Sequence, residues 1–321
     1  MTLKEENARM IISIARKVNT PPWSSQELQQ VLKTLKNNMC RDPTGLINEI
    51  FRPGVVGVDL QIALLDLFNF CKSEMQIPDF MQLANIENIW KNKGDNLNTD
   101  SYRGIFIVNI FRSILMRLIP QDKSKTIDSH MTDYQIGGRK GKNVRDHIFI
   151  VNGIIQDTLS SVKGKPINII VTDFTQCFDG LNLPLTCKDL YQSGCQDDKL
   201  ALLFDINRTN KVAVRTSLGL TDRFIIEENV LQGDVFGTIL ASNQIYKFGK
   251  QCIEKQEHIF MYREAIPIAP LTMCDYLLVI SECGCKTELA VSYINSQTQF
   301  NYLQFGLSKY KKMHIGKTKE N

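Results

Sequence analysis

The stretch Ile169-Ile170-Val171-Thr172-Asp173-Phe174-Thr175-Gln176-Cys177-Phe178-Asp179 sets an aspartate at the end of an apolar run. Ile167 to Thr172 reads as a central strand, since a strand covered on both faces is apolar at most positions. About a hundred residues on comes Pro270-Leu271-Thr272-Met273-Cys274-Asp275-Tyr276-Leu277-Leu278-Val279-Ile280-Ser281. Ile266 to Ile280 reads as a hairpin with Asp275 near its tip. Between the two lies Val230-Leu231-Gln232-Gly233-Asp234. Taken singly, an aspartate after a strand is most often a turn residue. The order of the set carries the information.

The 321 residues suit one large domain or two average ones, and 43% apolar residues are enough to bury a core. A net charge of +4 permits a nucleic-acid partner without requiring one. Basic residues cluster at Arg139, Lys140, Lys142 and Arg145, and again at Lys309, Lys311, Lys312, Lys317 and Lys319. Each cluster alone reads as a solvated face. The nine cysteines are odd in number and contain no CxxC pair, and no histidine stands at finger-like spacing from Cys283 and Cys285. That argues against a zinc site and against a disulfide framework. Reduced, mostly buried cysteines in a cytoplasmic or nuclear protein are expected. Met1-Thr2-Leu3-Lys4-Glu5-Glu6 has no apolar signal region. No apolar run reaches the ~20 residues of a membrane span. Ile105 to Leu118 comes nearest and is broken by Asn109, Arg112 and Arg117. The expected setting is intracellular, not secreted, with no membrane partner.

Ser24-Ser25-Gln26-Glu27 reads as a capping box flanked by the staple pair Trp23 and Leu28. Leu28, Val31, Leu32 and Leu35 then follow on one helical face, until Asp42-Pro43-Thr44-Gly45 breaks the pattern. A second helix from about Asp59 carries Leu60, Leu64, Leu67, Phe68 and Cys71 on one stripe. Ile86 to Trp90 suggests a strand. Tyr102-Arg103-Gly104-Ile105 leads into a helix through Phe111, Leu115 and Leu118. Gln135 to Lys142 is glycine-rich and basic, but its spacing, and Asn143 in place of Ser or Thr, exclude a P-loop. Helices are expected through Ile148 to Ile155, Leu185 to Tyr191, Phe236 to Phe248 and Glu288 to Leu303. Paired strands are expected at Val212 to Val214 and Arg223 to Val230, and a last strand near Met313 to Ile315. Helices first, then strands that do not alternate strictly with helices, make an α+β protein.

The ordered motifs resemble the reverse transcriptases of non-LTR, LINE-type retrotransposons. Those show a YRGI-like stretch, a Q-G-F-R-like stretch, D-F-x-x-A-F-D, a QG segment, a hairpin with two adjacent aspartates, and a late lysine segment. Here stand Tyr102-Arg103-Gly104-Ile105, Gln135-Ile136-Gly137-Gly138-Arg139 with Asp146 after it, Asp173 to Asp179, Gln232-Gly233-Asp234, Met273-Cys274-Asp275-Tyr276, and Leu303-Gln304-Phe305-Gly306-Leu307-Ser308-Lys309. Asn48-Glu49-Ile50-Phe51 and Ile77-Pro78 look like the region before such domains, so the resemblance covers roughly residues 23 to 317.

The resemblance implies a right-hand polymerase, fingers and palm, the palm an RRM- or ferredoxin-like sheet with helices behind it. Residues 1–85 would be a helical extension and fingers base, 86–165 the fingers and 166–321 the palm. It implies an RNA-directed DNA polymerase acting on an RNA template, a DNA primer and deoxynucleoside triphosphates. Two Mg2+ ions would make the primer hydroxyl nucleophilic and neutralise the triphosphate. Asp173 and Asp275 would hold metal and be catalytic, with Lys309 as the acid that protonates pyrophosphate. Arg103 would contact the triphosphate through its fork of donors. Phe178 would sit beneath the sugar and exclude a 2′-hydroxyl. Gln232 and Gly233 would line the nucleotide. Arg139, Lys140 and Lys142 would face nucleic acid.

One position departs where it matters: Tyr276 replaces the hairpin's second aspartate with a neutral phenol. Thr238 for proline, Cys177 for alanine and Tyr310 for cysteine are milder changes. The sequence stops near Asn321, where relatives continue into a helical thumb, so thumb and endonuclease are expected to be absent. A degenerate polymerase with weak or no activity follows. Two other readings stay open: a non-catalytic RNA-binding module, and a pseudogene remnant without function.

Overall fold

The structure, a computed structural model, describes residues 2–119, 129–160, 165–175, 177–178, 180–235, 237–255, 257–299, 304–305 and 310–316. Contacts divide the chain into two units: Met1–Ile127 with Asn182–Gly237, and Asp128–Leu181 with Thr238–Asn321. This differs from the three consecutive segments expected. Residues 182–237, expected in the palm, group with the N-terminal part. The cause is long-range strand pairing, which local patterning does not reveal.

In the first unit, helix α1 (Leu3–Ala15) opens on a capping box between Thr2 and Glu5, a signal that sequence reading passed over. Helix α2 (Ser25–Lys33) opens on the expected box: Ser24 accepts from Glu27 N–H while the Glu27 carboxylate accepts from Ser24 N–H at 2.7 Å. Trp23 and Leu28 are buried, as a staple requires, and Val31, Leu32 and Leu35 complete the buried face. Helix α3 (Val58–Glu74) buries Leu64, Phe68 and Cys71, but Leu60 is exposed because it precedes the packed part of the stripe.

Strand β1 (Leu83–Trp90) pairs antiparallel with β2 (Tyr102–Val108). Tyr102-Arg103-Gly104-Ile105 is therefore strand rather than the lead into a helix. Helix α4 (Ile110–Leu118) begins only after Asn109, whose side chain caps Phe111 N–H at 3.0 Å. Buried Asp42 fixes that junction: one oxygen accepts from Asn109 Nδ2 and Ile110 N–H, the other from Thr44 and Leu46 N–H. Helices α5 (Val144–Ser160, in the second unit), α6 (Leu183–Gln192) and α7 (Asp198–Arg208) follow. Helix α7 was not anticipated. All but its terminal Arg208 are buried, so it shows no amphipathic period. It leads directly into β4 (Thr209–Thr216), which runs parallel to β1 and antiparallel to β5 (Gly219–Leu220) and β6 (Phe224–Glu227).

The second unit is built on β3 (Ile167–Thr175). Helix α8 (Gly237–Lys255) follows the excursion through the first unit. A separate ribbon of β7 (Phe260–Tyr262) and β8 (Ile266–Ile268) comes next, so the expected hairpin starts later than Ile266. It consists of β9 (Leu271–Met273) and β10 (Tyr276–Ser281). Helix α9 (Gly284–Gln299), β11 (Gln304–Phe305) and β12 (Lys311–Ile315) close the unit. β3 pairs with β10 on one side and with β11 and β12 on the other, all antiparallel, and β10 pairs with β9. Reading β3, β9, β10 and β12 as strands one to four, the order is four-one-three-two in a βαββαβ chain, the ferredoxin-like split βαβ.

β3 is central, which explains its continuous apolar run. Ile167, Ile169 and Val171 face α5, packing on Ile154 and its neighbours Ile150, Val151 and Ile155. Alternate residues Ile170 and Thr172 are also buried, and α9 packs on β3 and β10. Among the described residues no helix is long and apolar enough to cross a membrane.

Candidate active site

The hairpin brings the two acidic motifs side by side. Tyr276 stands directly across from Asp173 in the β3–β10 register. Directly opposed residues of an antiparallel pair share a face, so Asp173 and Tyr276 project on the same side, that of Val171 and Leu278. Asp275 occupies the two-residue turn with Cys274, whose φ is 52°. Its carbonyl accepts from Phe174 N–H at 2.9 Å, tying the turn to the residue after Asp173. Asp173 is 1% exposed, Asp275 half-buried and Tyr276 47% exposed. The tyrosine borders an apolar cleft of about 320 Å³ against the first turns of α5, with Val144, His147, Val151, Met273 and Leu278. Burial pushes the His147 imidazole below its ordinary value.

The glycine-rich motif meets the same turn. Ile136 N–H donates to Thr272 O at 3.1 Å and Thr272 N–H to Tyr134 O at 2.8 Å, so Gln135 and its neighbours run parallel beside β9. Gln135 is fully buried and its Oε1 accepts from Gly137 N–H at 2.8 Å. A Cβ on Gly137 would lie 2.4 Å from Cys274 N and 2.6 Å from its Sγ. Glycine is required here by close backbone approach. Gly137→Ala is expected to cost about 1–3 kcal/mol or more by overpacking and to shift the Cys274–Asp275 turn. Thermal unfolding and the reactivity of Cys274 toward a thiol reagent check this.

Of the basic residues in that loop, Arg139 donates to Thr132 O and Gln135 O at 2.6 and 2.7 Å, holding its own turn. Lys142 pairs with Asp133 at 2.7 Å. Lys140 is exposed. The loop spends two of its three cations on its own architecture. Phe178 is half-buried in the turn after β3. Lys309 lies outside the described residues.

The first unit assembles a second group. Phe106 N–H donates to Gln232 O at 2.8 Å, tying β2, which carries exposed Arg103, to the Gln232-Gly233 loop. Gly233 has φ +111°, a conformation L side chains rarely adopt, and a Cβ there would meet Phe106 O at 2.8 Å. Behind the loop, Asp234 meets Arg112, a residue sequence reading noted only as a break in an apolar run. Arg112 is fully buried. Its guanidinium donates from Nε to Asp234 at 2.9 Å and to Ile206 O, Asn207 and Asn210. An arginine inside an otherwise apolar helical stripe was the available signal.

Thus Asp173, Asp275, Tyr276 and the Gln135–Arg139 loop gather in one unit, and Arg103 and Gln232-Gly233 in the other. Asp173 and Asp275 offer the hard oxygen donors that magnesium takes. Among the described residues no group of three or more His, Cys, Asp or Glu side chains forms a metal cage.

No family model matches the chain. Its fold is similar to that of apo telomerase from Candida tropicalis truncated from its C-terminal domain, with a TM-score of 0.51 and 13% identity. Telomerase is a reverse-transcriptase-family polymerase. The match covers 76% of this chain and 52% of the telomerase chain, so the chain spans about half the length of the structure it resembles. The likeness is one of fold alone: a mixed α+β architecture similar to that of the telomerase chain.

Proposed function

We propose that this chain is the fingers and palm of an RNA-directed DNA polymerase of the non-LTR retrotransposon type, with its metal site reduced at Tyr276. The observation that carries the reading is the register of the hairpin. Asp173 lies near the C-terminal end of the first strand of a ferredoxin-like sheet, Asp275 sits in the adjoining turn, and position 276 stands opposite Asp173. A polymerase needs carboxylates from distant parts of the chain at that place. The order of the motifs and the telomerase-like fold support the same assignment.

Asp173 and Asp275 would hold magnesium, which would supply charge neutralisation to a triphosphate. One or two carboxylates with substrate phosphates make an ordinary magnesium site, so the donor set suits one ion better than two. Arg103 would engage the triphosphate and Phe178 the sugar. Gln232 and Gly233 would line the nucleotide, with Lys309 as the acid. Lys140, the exposed cation of its loop, would meet the nucleic-acid backbone.

The neutral phenol at 276 also favours a second reading, an RNA-binding module that has lost its chemistry. Incubation with a primed RNA template, deoxynucleotides and magnesium separates them. The polymerase reading expects slow, metal-dependent primer extension. Absence of extension together with RNA binding that weakens steeply with salt, as counterion release requires, favours the module. Neither extension nor salt-sensitive binding would refute both.

A further inference from the structure

Cys283 and Cys285 stand at the start of α9 with their sulfurs 3.8 Å apart, in van der Waals contact. Cys283 Sγ accepts from Lys286 N–H at 3.5 Å, in the first turn of the helix. The Lys312 ammonium of β12 reaches the residue between the two cysteines, for a Cβ on Gly284 would lie 3.0 Å from Lys312 Nζ. Lys312 is itself paired with Glu288 at 2.7 Å, and Lys286 with Glu282 at 3.5 Å. Cys285 is exposed and Cys283 partly so.

The Lys286 N–H, then the Cys285 thiol and the Lys286 charge, pull the Cys283 thiol below its ordinary value, against the effect of burial. Other cysteines go the opposite way. Burial pushes Cys71 and Cys252 up to about 11, and burial with the Asp275 charge raises Cys274. Reactive cysteines occupy partly exposed, electropositive surroundings near a helix start, whereas buried ones are inert. Cys283 meets that description and has a second thiol in contact.

We infer that Cys283 and Cys285 form a peroxide-sensitive dithiol, a site independent of the polymerase reading. The Cys283 thiolate attacks one oxygen of hydrogen peroxide. The O–O bond breaks, the sulfur becomes sulfenic acid, and the departing hydroxide takes up a proton as water. The Cys285 thiol, losing its proton, attacks the sulfenic sulfur; an S–S bond forms and the hydroxyl leaves as a second water. Two thiols and one peroxide give one disulfide and two waters. The sulfurs must close from 3.8 Å to about 2.05 Å. Gly284 between them has no Cβ to resist the backbone adjustment. The closure would draw on the junction that holds the end of β10, where Ser281 Oγ donates to Cys283 O at 2.6 Å.

The test uses the full chain and limiting hydrogen peroxide. Remaining thiols are blocked with iodoacetamide, the protein is reduced, and released thiols are labelled with N-ethylmaleimide before peptide mass mapping. Cys283 and Cys285 are expected to carry the second label together, while exposed Cys40 and half-buried Cys274 carry the first. Cys285→Ser should leave Cys283 as a sulfenic acid trapped by dimedone, and Cys283→Ser should slow oxidation of Cys285 at least tenfold. Equal oxidation of Cys40, a cross-link from either residue to another cysteine, or Cys285 oxidation unchanged in Cys283→Ser would each overturn the proposal.

Discussion

Tyr276→Asp is expected to raise metal-dependent primer extension by on the order of 10²-fold, the scale of one preorganised electrostatic group. Asp173→Ala should remove whatever extension the unmodified chain shows. The tyrosine stands opposite Asp173 on the same face of the sheet, so an aspartate there adds a negative charge beside Asp173. Because position 276 is 47% exposed, the new carboxylate keeps much of its hydration, and the exchange costs little stability. Asp173 differs: at 1% exposure its truncation to alanine risks a packing loss as well. Asp173→Asn, nearly the same shape, separates lost charge from lost fold, with circular dichroism as the control. A Tyr276→Asp protein no more active than a robustly active parent would mean that the phenol is a tolerated variation.

Arg112→Met is expected to destabilise the first unit by about 3–5 kcal/mol, because removing one partner leaves the other charge buried and uncompensated. Both side chains of the Arg112–Asp234 pair have no exposure. Asn207, Asn210 and the Ile206 carbonyl lose their donor as well. The double change Arg112→Met with Asp234→Leu should recover most of the loss, since apolar replacement of a whole buried pair is often nearly neutral. Arg112→Lys should not, because a lysine cannot reproduce the planar fork. Denaturant unfolding of the four proteins checks the pattern. A single Arg112→Met variant as stable as its parent would show that the pair does not hold the loop. Asp234 directly follows Gln232-Gly233, so the same variants should also lower the yield of any nucleotide-dependent activity.

The elements with a strong local cause were legible. Ser24 with Glu27, the apolar run of β3 and the Asp275 turn are set by residues within a few positions of one another, and the structure places them as read. Tyr102 to Ile105 misled because the apolar character of β2 continues into α4; what separates them is Asn109, held by Asp42 from far along the chain. Helix α7 escaped because a helix buried all round has no periodic signal. The grouping of residues 182–237 with the N-terminal part depends on β4 lying parallel to β1, a pairing decided by packing. Within the site, motif order pointed to Asp173 and Asp275. It could not show that Arg139 donates to the Thr132 and Gln135 carbonyls, that Lys142 pairs with Asp133, or that Gly137 is fixed by contact with Cys274. Those facts live in geometry between segments, where a single sequence is silent.

Manganese titration, read by the electron paramagnetic resonance of the unbound ion, tests whether Asp173 and Asp275 hold a metal that Tyr276 weakens, since it needs neither template nor turnover. The unmodified chain, Tyr276→Asp and Asp173→Asn are compared. The unmodified chain should bind one ion weakly, Tyr276→Asp should bind at least tenfold more tightly or take a second ion, and Asp173→Asn should bind none. Equal binding by the unmodified chain and Asp173→Asn, with no gain in Tyr276→Asp, would contradict the metal assignment.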